Sequence, residues 1–206
     1  MIRVRRTMMR SGRAGGWLTL GGGAAVGIAI LRYLTGGGVS FGSTNPSGLL
    51  ILAALALFGS GATVLGVGGL PPLDGTLARV GLASLAVGQL SLLALSIVLA
   101  ASSPESIPSL PVYPLDLLAT VAAELGLVLI GVALVRLPGL PRLVGAVLLA
   151  GALALAGAAF ASVILRLTLP GHTVLWALVL AIAGNVGIGL LAVLAAPVVG
   201  EDSNPS

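Results

Sequence analysis

The residues most able to do chemistry in this chain are few, and three of them recur at a spacing of four. Asp116, Thr120 and Glu124 would stand on one stripe of a helix, because side chains four apart lie one above the other. The stripe runs into an apolar stretch that begins at Leu115. Glu124 then sits nine residues along, roughly 13 Å deep at about 1.5 Å per residue. A carboxylate at such depth is expensive and faces protein or a wet cavity. It serves either as a proton or cation relay or polar substrate site, or structurally, as an ion pair or as a protonated carboxyl bonded to a neighbouring helix. Arg32 and Arg166 approach the same side from other apolar stretches and are candidate partners for Glu124. Gln89 and Asn185 lie inside two further stretches, where an amide commonly bonds from helix to helix. Glu124, Asp116, Arg32, Arg166, Gln89 and Asn185 form the candidate polar intramembrane site.

Several chemistries are excluded. With no cysteine, the chain has no disulfide, thiol nucleophile or thiolate metal site. With His172 as its one histidine, it builds no multi-histidine metal or haem site alone. No nucleophile with a base, no metal cluster and no phosphate loop stands out. The expectation is a non-enzymatic protein without catalytic residues, metal or cofactor.

The elements that must carry these residues follow from composition. The 206 residues are 57% hydrophobic and 8% charged, with a mean hydropathy of +1.16. Soluble domains carry about 25% charged residues, so this chain cannot clothe a water-facing surface and must face lipid. The apolar runs are continuous rather than alternating, which predicts helices and not a β-barrel. Six spans are expected: Gly16–Leu34, Ser47–Leu70, Thr76–Ala101, Leu115–Leu137, Leu143–Leu169 and Thr173–Val199. The expected fold is an all-α, polytopic six-helix bundle over 16–199. A basic segment, 1–15, precedes it and a short acidic tail, 200–206, follows. Turn signals separate the spans, among them Pro71-Pro72-Leu73-Asp74-Gly75, with glycine admitting positive φ, and Pro138-Gly139-Leu140-Pro141.

Arginine supplies all ten basic side chains. Arg3, Arg5, Arg6, Arg10, Arg13, Arg79, Arg136 and Arg142 fall on one side of the spans, and only Arg32 and Arg166 on the other. The positive-inside rule then places both termini in the cytoplasm of a multi-pass cell-membrane protein. The basic N-terminus is expected to touch anionic lipid headgroups. Its charge reads as topology and not as a nucleic-acid surface. Trp17 and Trp176, with Tyr33 and Tyr113, fall near the span ends, as aromatic belts do.

The pair of spans in Ser47–Ala101 resembles the pair in Leu115–Leu169, a candidate hairpin repeat. Leu70-Pro71 matches Leu137-Pro138, Leu77-x-Arg79 matches Leu140-x-Arg142, and Gly88 falls on Gly151. Small residues mark helix contacts: Gly23-x-x-x-Gly27, Ala25-x-x-x-Ala29, and Ala146, Ala150, Ala154, Ala158 and Ser162 stepping by four. Such spacing lets backbones approach closely. It serves packing within the bundle, or a face for a protein partner or a second copy.

Two resemblances bear on function. Asp74-Gly75-Thr76-Leu77-Ala78-Arg79, with Gly88 nine residues after Arg79, resembles part of the CDP-alcohol phosphatidyltransferase signature, over about 26 residues. In that family four aspartates hold two metal ions at the cytoplasmic end of the second and third helices. Here only Asp74 matches an aspartate position, with Pro71, Leu92 and Ser96 standing at the other three. One carboxylate does not build a two-metal site, so the resemblance implies a degenerate, inactive relative. In size, span number and the Ala25-x-x-x-Ala29 face, the chain is also similar to the substrate-binding components of energy-coupling-factor vitamin transporters. That implies a small transporter-like module with its polar site near Glu124. The leading expectation remains a non-enzymatic subunit of a membrane complex.

Overall fold

The computed structural model describes residues 2–35, 46–68, 73–101, 112–163 and 171–195, with the side chains of 2–11, 33–34, 47, 113, 159, 162–163 and 171–178 outside that description. The described residues form six helices: α1 (Ile2–Leu34), α2 (Pro46–Gly68), α3 (Thr76–Ala101), α4 (Val112–Val135), α5 (Leu140–Val163) and α6 (Gly171–Ala195). No strand occurs among them. Gly12–Arg32, Gly48–Gly68, Thr76–Ala101, Pro114–Val135 and Leu140–Ala158 are long and apolar enough to cross a membrane. Val179–Ala195 of α6 is a shorter apolar segment. The chain is therefore an all-α, multi-pass membrane protein.

The helix starts depart from the sequence expectation in instructive ways. α1 runs back through the basic segment to Ile2, because arginine and methionine are good helix formers and no proline interrupts them. α4 and α5 each begin three residues early. Pro114 and Pro141 are taken into their first turns, where a missing N–H leaves no bond unmade. The α4–α5 turn accordingly shrinks to residues around Gly139, whose φ of 76° only glycine adopts freely. Leu137 N–H tightens the end of α4 on Leu134 C=O at 3.0 Å, and Arg142 N–H opens α5 on Gly139 C=O at 3.1 Å. Gly75, which admits positive φ, does not use it. Its C=O instead accepts the Arg79 N–H at 2.9 Å as α3 begins.

The six helices close a ring in chain order. Each packs on the next, and α6 packs back on α1. Neighbours run antiparallel: Gly81 of α3 faces Gly126 and Ile130 of α4, while Gly88 faces Ala119 and Ala123. One end of the ring holds Arg13, Arg79, Arg136 and Arg142. It comprises the beginnings of α1, α3 and α5 and the ends of α2, α4 and α6, and is called the arginine-bearing end below. The largest fully buried side chains, Leu65, Leu73, Leu82, Leu85, Ile130, Leu134, Leu148 and Ile188, all lie in that half.

Four reciprocal glycine contacts knit the same half. Built Cβ atoms on Gly15 and Gly61 would lie 3.0 and 2.9 Å from each other's carbonyl oxygens, and on Gly16 and Gly189 both at 2.9 Å. The Gly81–Gly126 and Gly131–Gly145 pairs are as close, at 3.0 and 2.7 Å and at 3.1 and 2.8 Å. Small residues allow this approach, and lipid supplies no hydrophobic gain to replace it. Within the candidate repeat, Gly88 faces α4 and Gly151 faces Ala181 of α6, so each matched glycine meets the next helix in the ring.

Candidate functional site

The acidic stripe climbs α4 as its spacing requires. Asp116 is exposed, and Thr120 and Glu124 are half-buried. Glu124 lies two turns before Gly131, on the side of α4 that meets α5. The Gly131–Gly145 register places it at the level of Ala152, which has no donor to offer. Among the described residues the Glu124 side chain makes no hydrogen bond or ion pair. Arg32 is exposed in the last turn of α1, and α1 packs on α2 and α6, so the fold does not bring Arg32 to Glu124. Arg166 lies outside the described residues; α5, which leads to it, is the neighbour of α4.

The two amides sit in tight surroundings. Asn185 is only 4% exposed. Its Nδ2 donates to Ala181 C=O at 2.9 Å, while its Oδ1 is buried without a partner. Gln89 is half-buried beside Gly59 of α2, and its Oε1 is likewise buried without a partner. An orphaned buried acceptor costs about 1–3 kcal/mol, so each amide is a local strain. They stand on α3 and α6, which are not neighbours in the ring.

The Asp74 segment presents itself differently from a metal site. Asp74, Gly75 and Arg79 are exposed, and Ala78 is buried in the core. Gly88 is accounted for by contact alone, since a Cβ there would meet Ala119 C=O at 2.6 Å and Ala123 Cα at 2.7 Å. No group of three or more histidine, aspartate or glutamate side chains able to hold a metal occurs among the described residues. The side chain of His172 lies outside the description.

The small-residue faces divide. Ala25 and Ala29 are buried within the bundle, Ala25 against Ala54 and Phe58. Gly23 meets Val186, while Gly27 meets nothing within 4 Å. On α5, Ala146 and Ala150 are exposed, Ala154 and Ala158 are half-buried, and the Ser162 side chain is outside the description. The contacts that sequence reasoning missed are the glycine pairs and one hydrogen bond, Ser84 Oγ to Ala122 C=O at 2.7 Å, joining α3 to α4. The signal was present: Gly81, Ser84 and Gly88 fall at i, i+3 and i+7, one face of a helix.

A cavity of about 410 Å³ opens between α3 and α4 away from the arginine-bearing end. Among the described residues its walls are apolar apart from Ser91, and Glu124, Asp116, Arg32, Gln89 and Asn185 do not line it. Comparison with protein-family models, with curated proteins and with solved structures finds no match.

Proposed function

We propose that this chain is a non-enzymatic, membrane-embedded subunit that docks a transmembrane helix of a partner protein against α5. The supporting observation is the outward face of α5. Leu143, Ala146, Ala150, Leu153, Gly157 and Phe160 are exposed at alternating steps of three and four, and nothing lies within 4 Å of Gly157. Many glycines elsewhere in the ring are taken up by helix contacts, whereas this row faces outward and allows a close backbone approach. A photoreactive side chain at Ala150, in native membranes, is expected to capture a defined protein, and the same group at Val67 of α2 is not. Lipid adducts alone at both positions would overturn the reading.

The arginine-bearing end is proposed to face the cytoplasm, with the basic first turns of α1 near anionic headgroups; the arginine asymmetry supports this. Since the chain has no cysteine, single cysteines at Asp74 and Thr35 test it. An impermeant thiol reagent added outside is expected to label only Thr35→Cys.

A second reading, a transporter-like module, draws support from the half-buried Glu124 and the two orphaned amide oxygens. Its signature is proton flux into vesicles that Glu124→Gln abolishes. Vesicles holding the native chain that stay as proton-tight as protein-free ones exclude a relay.

A further inference from the structure

We propose that the slot between α3 and α4 is a binding site for one phospholipid acyl chain, from the leaflet opposite the arginine-bearing end. The slot has a structural origin. Gly81, Gly88 and Gly126 bring the two helices into backbone contact, and the Ser84 hydrogen bond to Ala122 fixes them there. Alongside the Gly88 contact and past it, the residues lining the gap include bulkier ones, Leu115 and Leu118 on α4 and Leu95 and Val98 on α3. Among the described residues the cavity reaches from Val98 and Val112 to Val87 and Ala122.

Its dimensions select the occupant. Along α3 it extends from Val87 to Val98, roughly 16 Å at about 1.5 Å per residue. That is about half of a hydrocarbon core of about 30 Å, the reach of chains from one leaflet. A volume of about 410 Å³ over that length, with about 1.4 Å added on each side for the radius of a water-sized sphere, leaves a slot roughly 8 Å across. A helix with its side chains is about 10–12 Å in diameter and does not enter. A single hydrocarbon chain does. The lining is suited to one, since Ala94 and Ala122 make a narrow smooth floor, and Val87 and Leu118 at the lips are themselves exposed to lipid. Chains in bulk lipid are already out of water, so binding rests on close contact with walls that otherwise face a gap. This site lies apart from the α5 face and does not depend on the subunit reading.

The test uses the full chain in vesicles of phosphatidylcholine and phosphatidylglycerol, with a fraction of the phosphatidylcholine carrying a photoreactive group midway along one acyl chain. Adducts on the stretches 87–98 and 115–122 are expected to exceed those on equally exposed Leu31 or Leu153 roughly tenfold, the factor that about 1.4 kcal/mol of contact energy supplies. Filling the slot with Ala94→Phe is expected to remove that excess while leaving labelling of Leu153 unchanged. Ser91→Leu, a milder filling, does the same if the phenylalanine variant fails to fold. Even labelling of all exposed side chains, an excess that survives either filled variant, or cross-linking of two copies through α3 would each overturn the proposal.

Discussion

The two ends of the ring are built by different means from nearly the same residues. In the arginine-bearing half, four glycine pairs draw backbones together and bulky side chains such as Leu82, Ile130 and Ile188 fill the space they enclose. In the other half a slot opens between α3 and α4, lined by Leu115, Leu118 and Leu95. Leucine and alanine are plentiful in both. What differs is whether glycine occupies the seam, because lipid offers leucine much the same apolar surroundings as protein does. Stability should therefore be concentrated at the arginine-bearing end and adaptability at the other.

The comparison is broken most severely at its seams. Gly88→Leu forces a side chain into the backbone of Ala119 and Ala123, where no side-chain rotation relieves the clash. A loss of about 3 kcal/mol is expected, at the upper end for overpacking, read by denaturant unfolding in micelles. Gly157→Leu meets nothing within 4 Å, and its stability should stay within about 1 kcal/mol, on the side that better helix propensity favours. It should nonetheless abolish partner capture at Ala150, since the α5 face would no longer admit a close helix. Equal losses from the two substitutions would end the distinction between seam and open face.

Truncating the filling comes next. Ile130→Ala removes a fully buried side chain and is expected to cost about 2–4 kcal/mol, a transfer and cavity loss combined. Leu118→Ala, at a lip of the slot and 67% exposed, should cost less than about 0.5 kcal/mol. A smaller effect follows at Asn185. Leucine there has similar bulk and removes the unpartnered Oδ1, so Asn185→Leu should gain about 1 kcal/mol. A loss of that size would mean that Oδ1 has a partner in the membrane, and would favour the transporter-like reading.

How much of this is legible in the sequence follows from the signal each feature leaves. The spans are readable because a lipid-facing helix needs an unbroken apolar run, and α3 is placed to the residue, Thr76–Ala101. Starts at proline are misplaced because the sequence marks Pro114 and Pro141 as breakers, while a first turn accommodates them. The ring order leaves no trace in hydropathy, since every helix is apolar nearly all round. It is written in glycines such as Gly16 and Gly189, whose partners lie on helices far apart in sequence. The Ala25-x-x-x-Ala29 repeat is visible but silent on whether its face turns inward or outward, and the structure turns it inward. The polar residues are found by their rarity. That rarity does not tell that Arg32 and Glu124 belong to helices that are not neighbours.

The mildest test addresses the boundary between the two halves. Ser84 Oγ donates to Ala122 C=O at 2.7 Å, and this bond lies at the deep end of the slot, one turn towards the arginine-bearing end from the Gly88 contact. Interhelical bonds of this kind in membranes average about 0.6 kcal/mol, so Ser84→Ala should lower stability by about that much, within reach of careful unfolding curves. Its structural effect should be larger than its energetic one. Ala122 lines the slot, and freeing its carbonyl loosens the deep end of the slot beside the Gly88 contact. Acyl-chain adducts should then extend from Ala122 towards Gly126. If the stability loss appears while the adducts keep their position, the glycine contacts alone set the depth of the slot and the serine is only a fastening.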